Sequence, residues 1–283
     1  MIVHTEAVLP QLSGPARTAA LQSAFDLAVA RVNSLFEASL ITARVRLVKI
    51  HQTAYDEDLS TSDKVQDDAL TALSAPADGR MDEVHAVRDA VGADVVVLAL
   101  QRQDSRSSGL SFVLDEPANT TNADYAFAVV HFSVVSTSTV LPHELGHVLG
   151  CAHDRLNSAG GNGAYPYSYG YRFFGADGRA YRDIMAYSVV DLRDRNLQID
   201  PTANNALTIE QTAFVTSTYR LQTQAAANTG TLVNVATRAW IGDGDQVLIG
   251  GFVVQGATPK SMLIRAAGPA LTPFGVTDRK SVV

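Results

Sequence analysis

A chain of 283 residues, 46% hydrophobic and 18% charged, is long enough to bury a sizeable core as one or two domains. Its formal net charge of −7, with no lysine- or arginine-rich cluster, argues against nucleic acid and anionic membrane as partners. No apolar run reaches the roughly 18 residues that a spanning helix needs, and the single Cys151 excludes an intrachain disulfide.

The chain opens Met1-Ile2-Val3-His4, with neither a basic n-region nor an apolar h-region, so no signal peptide is read there and a first strand is expected almost at once. Leu21, Phe25, Ala28, Val29, Val32, Leu35 and Phe36 recur at helical spacing and predict a long amphipathic helix over 18–40. Residues 44–50 alternate at period two, as a strand with one face outward does. Helices are predicted over 64–73 and 81–91, separated by Pro76 and Asp78-Gly79. The continuous apolar run 93–100 predicts a strand buried on both faces. Two more strands are expected over 110–114 and 126–134, then a helix carrying His143 and His147, and a last helix from Thr208 to about Gln224. This order implies an α/β (α+β) fold, a mixed twisted sheet covered by helices.

The segment 143–154, His-Glu-Leu-Gly-His-Val-Leu-Gly-Cys-Ala-His-Asp, carries the chemistry. On a helix His143 and His147 project from one face. Gly150 permits positive φ at the helix end, so that His153 can return to the same metal. Three protein ligands leave one tetrahedral position open, which marks a catalytic rather than a structural zinc. Glu144, next to the first ligand, can act on water there without binding the metal. Cys151 reads as a small buried thiol rather than a ligand.

His-Glu-x-x-His-x-x-Gly-x-x-His resembles the metzincin metallopeptidases, and Asp154 after the third histidine points to their reprolysin (adamalysin)-like branch. Asp183-Ile184-Met185-Ala186-Tyr187 matches that clan's Met-turn, and residues 165–172 resemble bacterial peptidyl-Asp metallopeptidases. The resemblance covers roughly residues 1–225. It implies one catalytic Zn2+ on His143, His147 and His153, and Glu144 as general base. Met185 would form an apolar floor under the imidazoles, with Gly150 and Asp154 as structural support. Tyr187 stands where astacin- and serralysin-like members carry an oxyanion-stabilising tyrosine, although Asp154 belongs to a different branch; a cleft-wall tyrosine is the other reading. The resemblance also implies a sheet-edge strand ahead of the zinc helix that binds substrate antiparallel. Ala126, Phe127 and Ala128 are assigned to that edge, with an ordinary covered strand as the alternative. Residues 157–169 would shape one side of the cleft, and Arg172, Arg179 or Arg182 could accept an acidic side chain. The expected activity is hydrolysis of protein or peptide substrates by a secreted, bacterial, monomeric enzyme. The rival expectation is a surface or adhesion protein using the domain as an inactive scaffold.

Composition changes after the last helix. Residues 226–231 read as a small polar linker, 232–277 as part of a β-rich module, and 278–283 as a sequencing-adapter artefact. Asp243 and Asp245 among glycines fit calcium or a plain hairpin turn, and the turn needs no ion.

Overall fold

Two apolar strands form the centre of the computed structural model, which describes residues 1–57, 64–102, 107–158, 161–187 and 202–220. Strand β3 (Val96–Leu100) runs parallel to β5 (Phe127–His131), in register from Val96 opposite Phe127 to Leu100 opposite His131. Beyond β3 lie β1 (Ile2–Thr5) and then β2 (Ile50–Thr53), both parallel; beyond β5 lies β4 (Gly109–Ser111), antiparallel. The strand order is therefore β2-β1-β3-β5-β4.

Side chains of a strand alternate between faces, and here the alternation feeds two cores. Val97, Ala99, Ala128 and Val130 pack with Phe25, Ala28, Val32 and Phe36 of α1 (Gly14–Ala38), and with Leu141, Leu145 and Val148 of α5 (Val140–Val148). Val96, Leu98, Leu100, Phe127 and Val129 pack against α2 (Val65–Ser74) and α3 (Asp82–Val91) through Val65, Ala69, Leu73 and Val84. The sheet is thus covered on both faces, as expected for a mixed α/β domain, and its strands read as continuous apolar runs for that reason.

Several boundaries differ from the sequence expectation. Residues 44–49 stand outside the ladder, which starts at Ile50; Ile2 still donates to the Lys49 carbonyl at 3.0 Å. The apolar stretch 126–134 divides, because β5 ends at His131 and a short helix α4 (Phe132–Val135) follows. A hairpin, β6 (Arg172–Phe174) with β7 (Ala180–Arg182), was absent from the predicted elements. The last described helix, α6 (Asn205–Thr216), starts ahead of Thr208 because the Asn204 side chain caps it, accepting from the Leu207 N–H at 2.9 Å. All these elements lie within the unit Met1–Thr223. The expected linker, β-rich module and terminal artefact fall outside the described residues. Among the described residues, no helix is long and apolar enough to cross a membrane.

The expected substrate-binding edge requires a correction. β5 is paired on both sides, to β3 and to β4, and Ala126, Phe127 and Ala128 are 1%, 0% and 0% exposed. Ala128 pairs with Val97 of β3 and Ser111 of β4, Phe127 pairs with Val96, and Ala126 accepts from the Val96 N–H at 3.1 Å and donates to Ala123 O at 3.4 Å, so these residues lie inside the sheet rather than at its margin. The strand at this margin of the sheet is β4, which overlaps the strand expected over 110–114, and its place at the edge follows from pairing that the sequence does not display.

Candidate metal centre

Helix α5 places Pro142 in its first turn, where a missing N–H costs no hydrogen bond, and ends at Val148. The Gly150 N–H donates to His147 O at 2.9 Å and the Cys151 N–H to Gly146 O at 2.8 Å, closing the helix C-terminus. Gly150 has φ of 90°, and a Cβ there would lie 2.6 Å from the Ala164 Cβ, so both conformation and space require glycine. The chain then leaves through Ala152, which donates to Ser168 O at 2.8 Å, and brings His153 back over the helix.

The Nε2 atoms of His143, His147 and His153 form a triangle with every side 3.1 Å. His143 Nδ1 donates to Ile184 O at 2.8 Å and His147 Nδ1 to Cys151 O at 2.7 Å, while His153 makes a backbone hydrogen bond with Asn157. Ring orientation is thereby fixed, and the Nε2 lone pairs of His143 and His147 are bare. Bare acceptors this close repel one another unless a cation stands between them. The spacing suits a tetrahedral ion about 2.0–2.1 Å from each nitrogen, whose ligands stand about 3.3 Å apart. Burial pushes His147 down to about 3, with the two neighbouring imidazoles adding to the effect. Burial and His143 likewise push His153 down to about 4, and burial lowers His143. All three rings are therefore held neutral, the form that binds metal. Among the described residues, this triad is the group of side chains able to hold a metal ion.

Glu144 is 4% exposed, and its burial raises the carboxyl to about 7 against the opposing hydrogen bond from Ser111. The Ser111 hydroxyl donates to Glu144 Oε2 at 2.7 Å. Met185, 5% exposed, packs against Gly146, where a Cβ would meet its Sδ at 2.5 Å. The missing side chain of Gly146 is what lets the thioether approach the helix between the two histidines. The Met-turn itself is pinned by Asp183, whose Oδ1 accepts from the N–H groups of Met185 at 3.0 Å and Ala186 at 2.9 Å. Asp154 faces away from the three nitrogens toward the Met-turn. It pairs with Arg172 at 3.0 Å and accepts from Asn157 Nδ2 at 2.8 Å and from the Tyr187 N–H at 3.0 Å. The Tyr187 ring stacks at a tilt on His153, centroids 4.2 Å apart, and remains 47% exposed.

The structure brings together His143, Glu144, His147, Gly150, His153, Asp154, Met185 and Tyr187, and excludes Ala126, Phe127 and Ala128. Of the three arginines, Arg172 is buried on Asp154, and Arg179 lies 3.7 Å from Asp177 beside the hairpin turn. Arg182 donates to Ala186 O at 2.5 Å and sits close enough to lower His143 by its charge. His131 is a satisfied core group, bonded to Gln101 O at 2.6 Å and to the Ser133 hydroxyl at 2.7 Å. The sequence suggested no role at the site for Gly109, Ser111 or Asp183. Gly-Leu-Ser carries no pattern of its own, whereas Asp183, two residues before the Met-turn methionine, could have been read as a turn cap.

Three comparisons with known proteins bear on this site. The model of metallo-peptidase family M12, reprolysin type, matches residues 2–199. Peptidyl-Asp metalloendopeptidases are similar to this chain. One from Stenotrophomonas maltophilia is 30% identical over 189 residues, covering 66% of this chain and 41% of that protein. One from Xanthomonas campestris pv. campestris is 30% identical over 168 residues, covering 59% and 36%. The chain thus spans less than half the length of these relatives. A solved structure titled "Structure of a chaperone-substrate complex" is similar in fold alone, with a TM-score of 0.50 and 17% identity over 77% of this chain and 38% of that one. The family match extends across the zinc-type helix, the returning histidine and the Met-turn that the fold assembles around one point, and the chain belongs to the M12 family of metallopeptidases.

Proposed function

We propose that this chain is a zinc endopeptidase in which His143, His147 and His153 hold one Zn2+ and Glu144 is the general base. The observation that carries the reading is the triangle of Nε2 atoms beside a buried carboxylate. Bound zinc supplies a Lewis acid that activates water and polarises the scissile carbonyl. Glu144 takes the proton of the attacking water and returns it to the departing amine nitrogen, a transfer that suits a carboxyl raised toward neutrality by burial. The Tyr187 phenol, held at the cleft by its stacking on His153 and by the Asp154 bond to its backbone, supplies a hydrogen bond to the developing oxyanion. Met185 and Asp154 orient these groups without touching substrate. An extended peptide would lie along β4, the edge strand beside Glu144.

Relatives named for cleavage at aspartate support a preference for acidic side chains. Arg182 is the cation to receive one, because Arg172 is spent on Asp154 and Arg179 stands beside Asp177. Action as a secreted monomer, with residues 226–231 as a linker and 232–277 as an accessory module, belongs to the same reading. Zinc content together with chelator-sensitive cleavage of casein tests the activity, and cleavage of a peptide library tests the preference. A zinc-loaded chain that cleaves neither would overturn the reading.

A further inference from the structure

We infer that Ser111 is a positioning residue for the base: its hydroxyl, on edge strand β4, latches the Glu144 carboxylate into the orientation in which it meets water. This rests on Glu144 being the base. Ser111 Oγ lies 2.7 Å from Glu144 Oε2 and 3.2 Å from the Glu144 carbonyl oxygen. A serine hydroxyl has one proton to give, and the shorter bond to a carboxylate is the stronger. The proton therefore goes to Oε2, and the carbonyl is a secondary contact.

Gly109 completes the arrangement. Residues two apart on a strand face the same way, so Gly109 and Ser111 share the face that Glu144 packs on. A Cβ at Gly109 would lie 2.5 Å from Glu144 Oε1, 2.8 Å from its Cγ and 2.7 Å from Val140 Cγ1. Glycine leaves the slot into which the carboxylate fits, and serine fastens one end of it. Of the two carboxylate oxygens Oε2 takes the serine bond, which leaves Oε1 for the proton transfer. The latch also ties the base to the strand proposed to carry the peptide, so seating of substrate and aim of the base share one element. A glutamate has three rotatable bonds, and a shift of about 1 Å in a reacting group can cost a hundredfold in rate.

The test uses the full chain, a quenched fluorogenic peptide that it cleaves, and the variants Ser111→Ala, Ser111→Thr, Gly109→Ala and Glu144→Gln. Ser111→Ala is expected to keep its zinc, melting temperature and KM while kcat falls roughly tenfold or more. Ser111→Thr should restore most of the loss, because it restores the hydroxyl. Gly109→Ala should also lower kcat, and adding Ser111→Ala to it should cost little more, since both act through one carboxylate. Unchanged turnover per zinc in Ser111→Ala, beside an inactive Glu144→Gln, overturns the latch alone. So does a loss of activity that merely tracks lost zinc or lost stability. Near-normal turnover in Glu144→Gln overturns the base assignment and the latch with it.

Discussion

Asp154 accepts the backbone N–H of Tyr187 at 3.0 Å, so the carboxylate that follows the third imidazole sets where the Met-turn tyrosine stands. The same oxygen pairs with Arg172 at 3.0 Å, both side chains being less than a tenth exposed. The segment that carries His153, the hairpin β6–β7 and the Met-turn are thus joined at one buried charge.

Removing that charge is expected to be costly. Asp154→Ala leaves the Arg172 guanidinium buried without its partner, a change worth about 3–5 kcal/mol of folding stability. Asp154→Ala combined with Arg172→Met should recover part of it. Urea denaturation of the unaltered chain and the two variants checks the order, and equal stability of the single and double variants would refute the coupling.

Tyr187→Phe separates the two roles open to that residue. The ring and its stacking on His153 survive, and only the hydroxyl is lost. If the phenol serves the oxyanion, kcat drops roughly a hundredfold with KM and zinc content unchanged. Unaltered kcat would make it a wall of the cleft.

Gly150→Ala should act on structure first and on the metal second. Its φ of 90° costs an L-residue about 1–2 kcal/mol, and the new Cβ would press on Ala164, 2.6 Å away. His153, three residues on, is displaced as a result. A lower melting temperature and weaker zinc binding are both expected, measured by thermal denaturation at several zinc concentrations.

Chelation should abolish peptide cleavage and also lower the melting temperature, because an ion bound to the folded state alone stabilises it by about 2.7 kcal/mol at a hundred times its Kd. His153→Ala should remove most of that zinc-dependent increment, since one of three ligands is gone. A melting temperature insensitive to zinc would show that the triad does not hold it.

The helix carrying His143 and His147 was legible because its signal is local. His143 and His147 share a face by helical spacing, and Gly150 sits where a helix end needs positive φ. The doubly buried run ending at Leu100 was legible for a similar reason, since a strand covered on both faces must be apolar throughout. The margin of the sheet was not. An apolar strand directly before the zinc helix looks the same whether one neighbour or two pair with it, and only the antiparallel return of Gly109–Ser111 decides that β5 is interior. The loop arginines failed to separate for the same reason. Arg172 and Arg182 are alike in sequence, and burial on Asp154 distinguishes them.

The sequence by itself determined the three-histidine group, the neighbouring carboxylate and the layered α/β fold, because each follows from spacing along one helix or strand. Tertiary structure alone decided what surrounds them: that Ser111 and Gly109 meet Glu144, that Gly146 admits Met185, and that Asp154 holds Tyr187 and Arg172. Those contacts join residues between 33 and 39 positions apart or, for Asp154 and Arg172, 18, and no periodicity spans such distances. They exist because the sheet and the α5 helix pack face to face and leave room for little else.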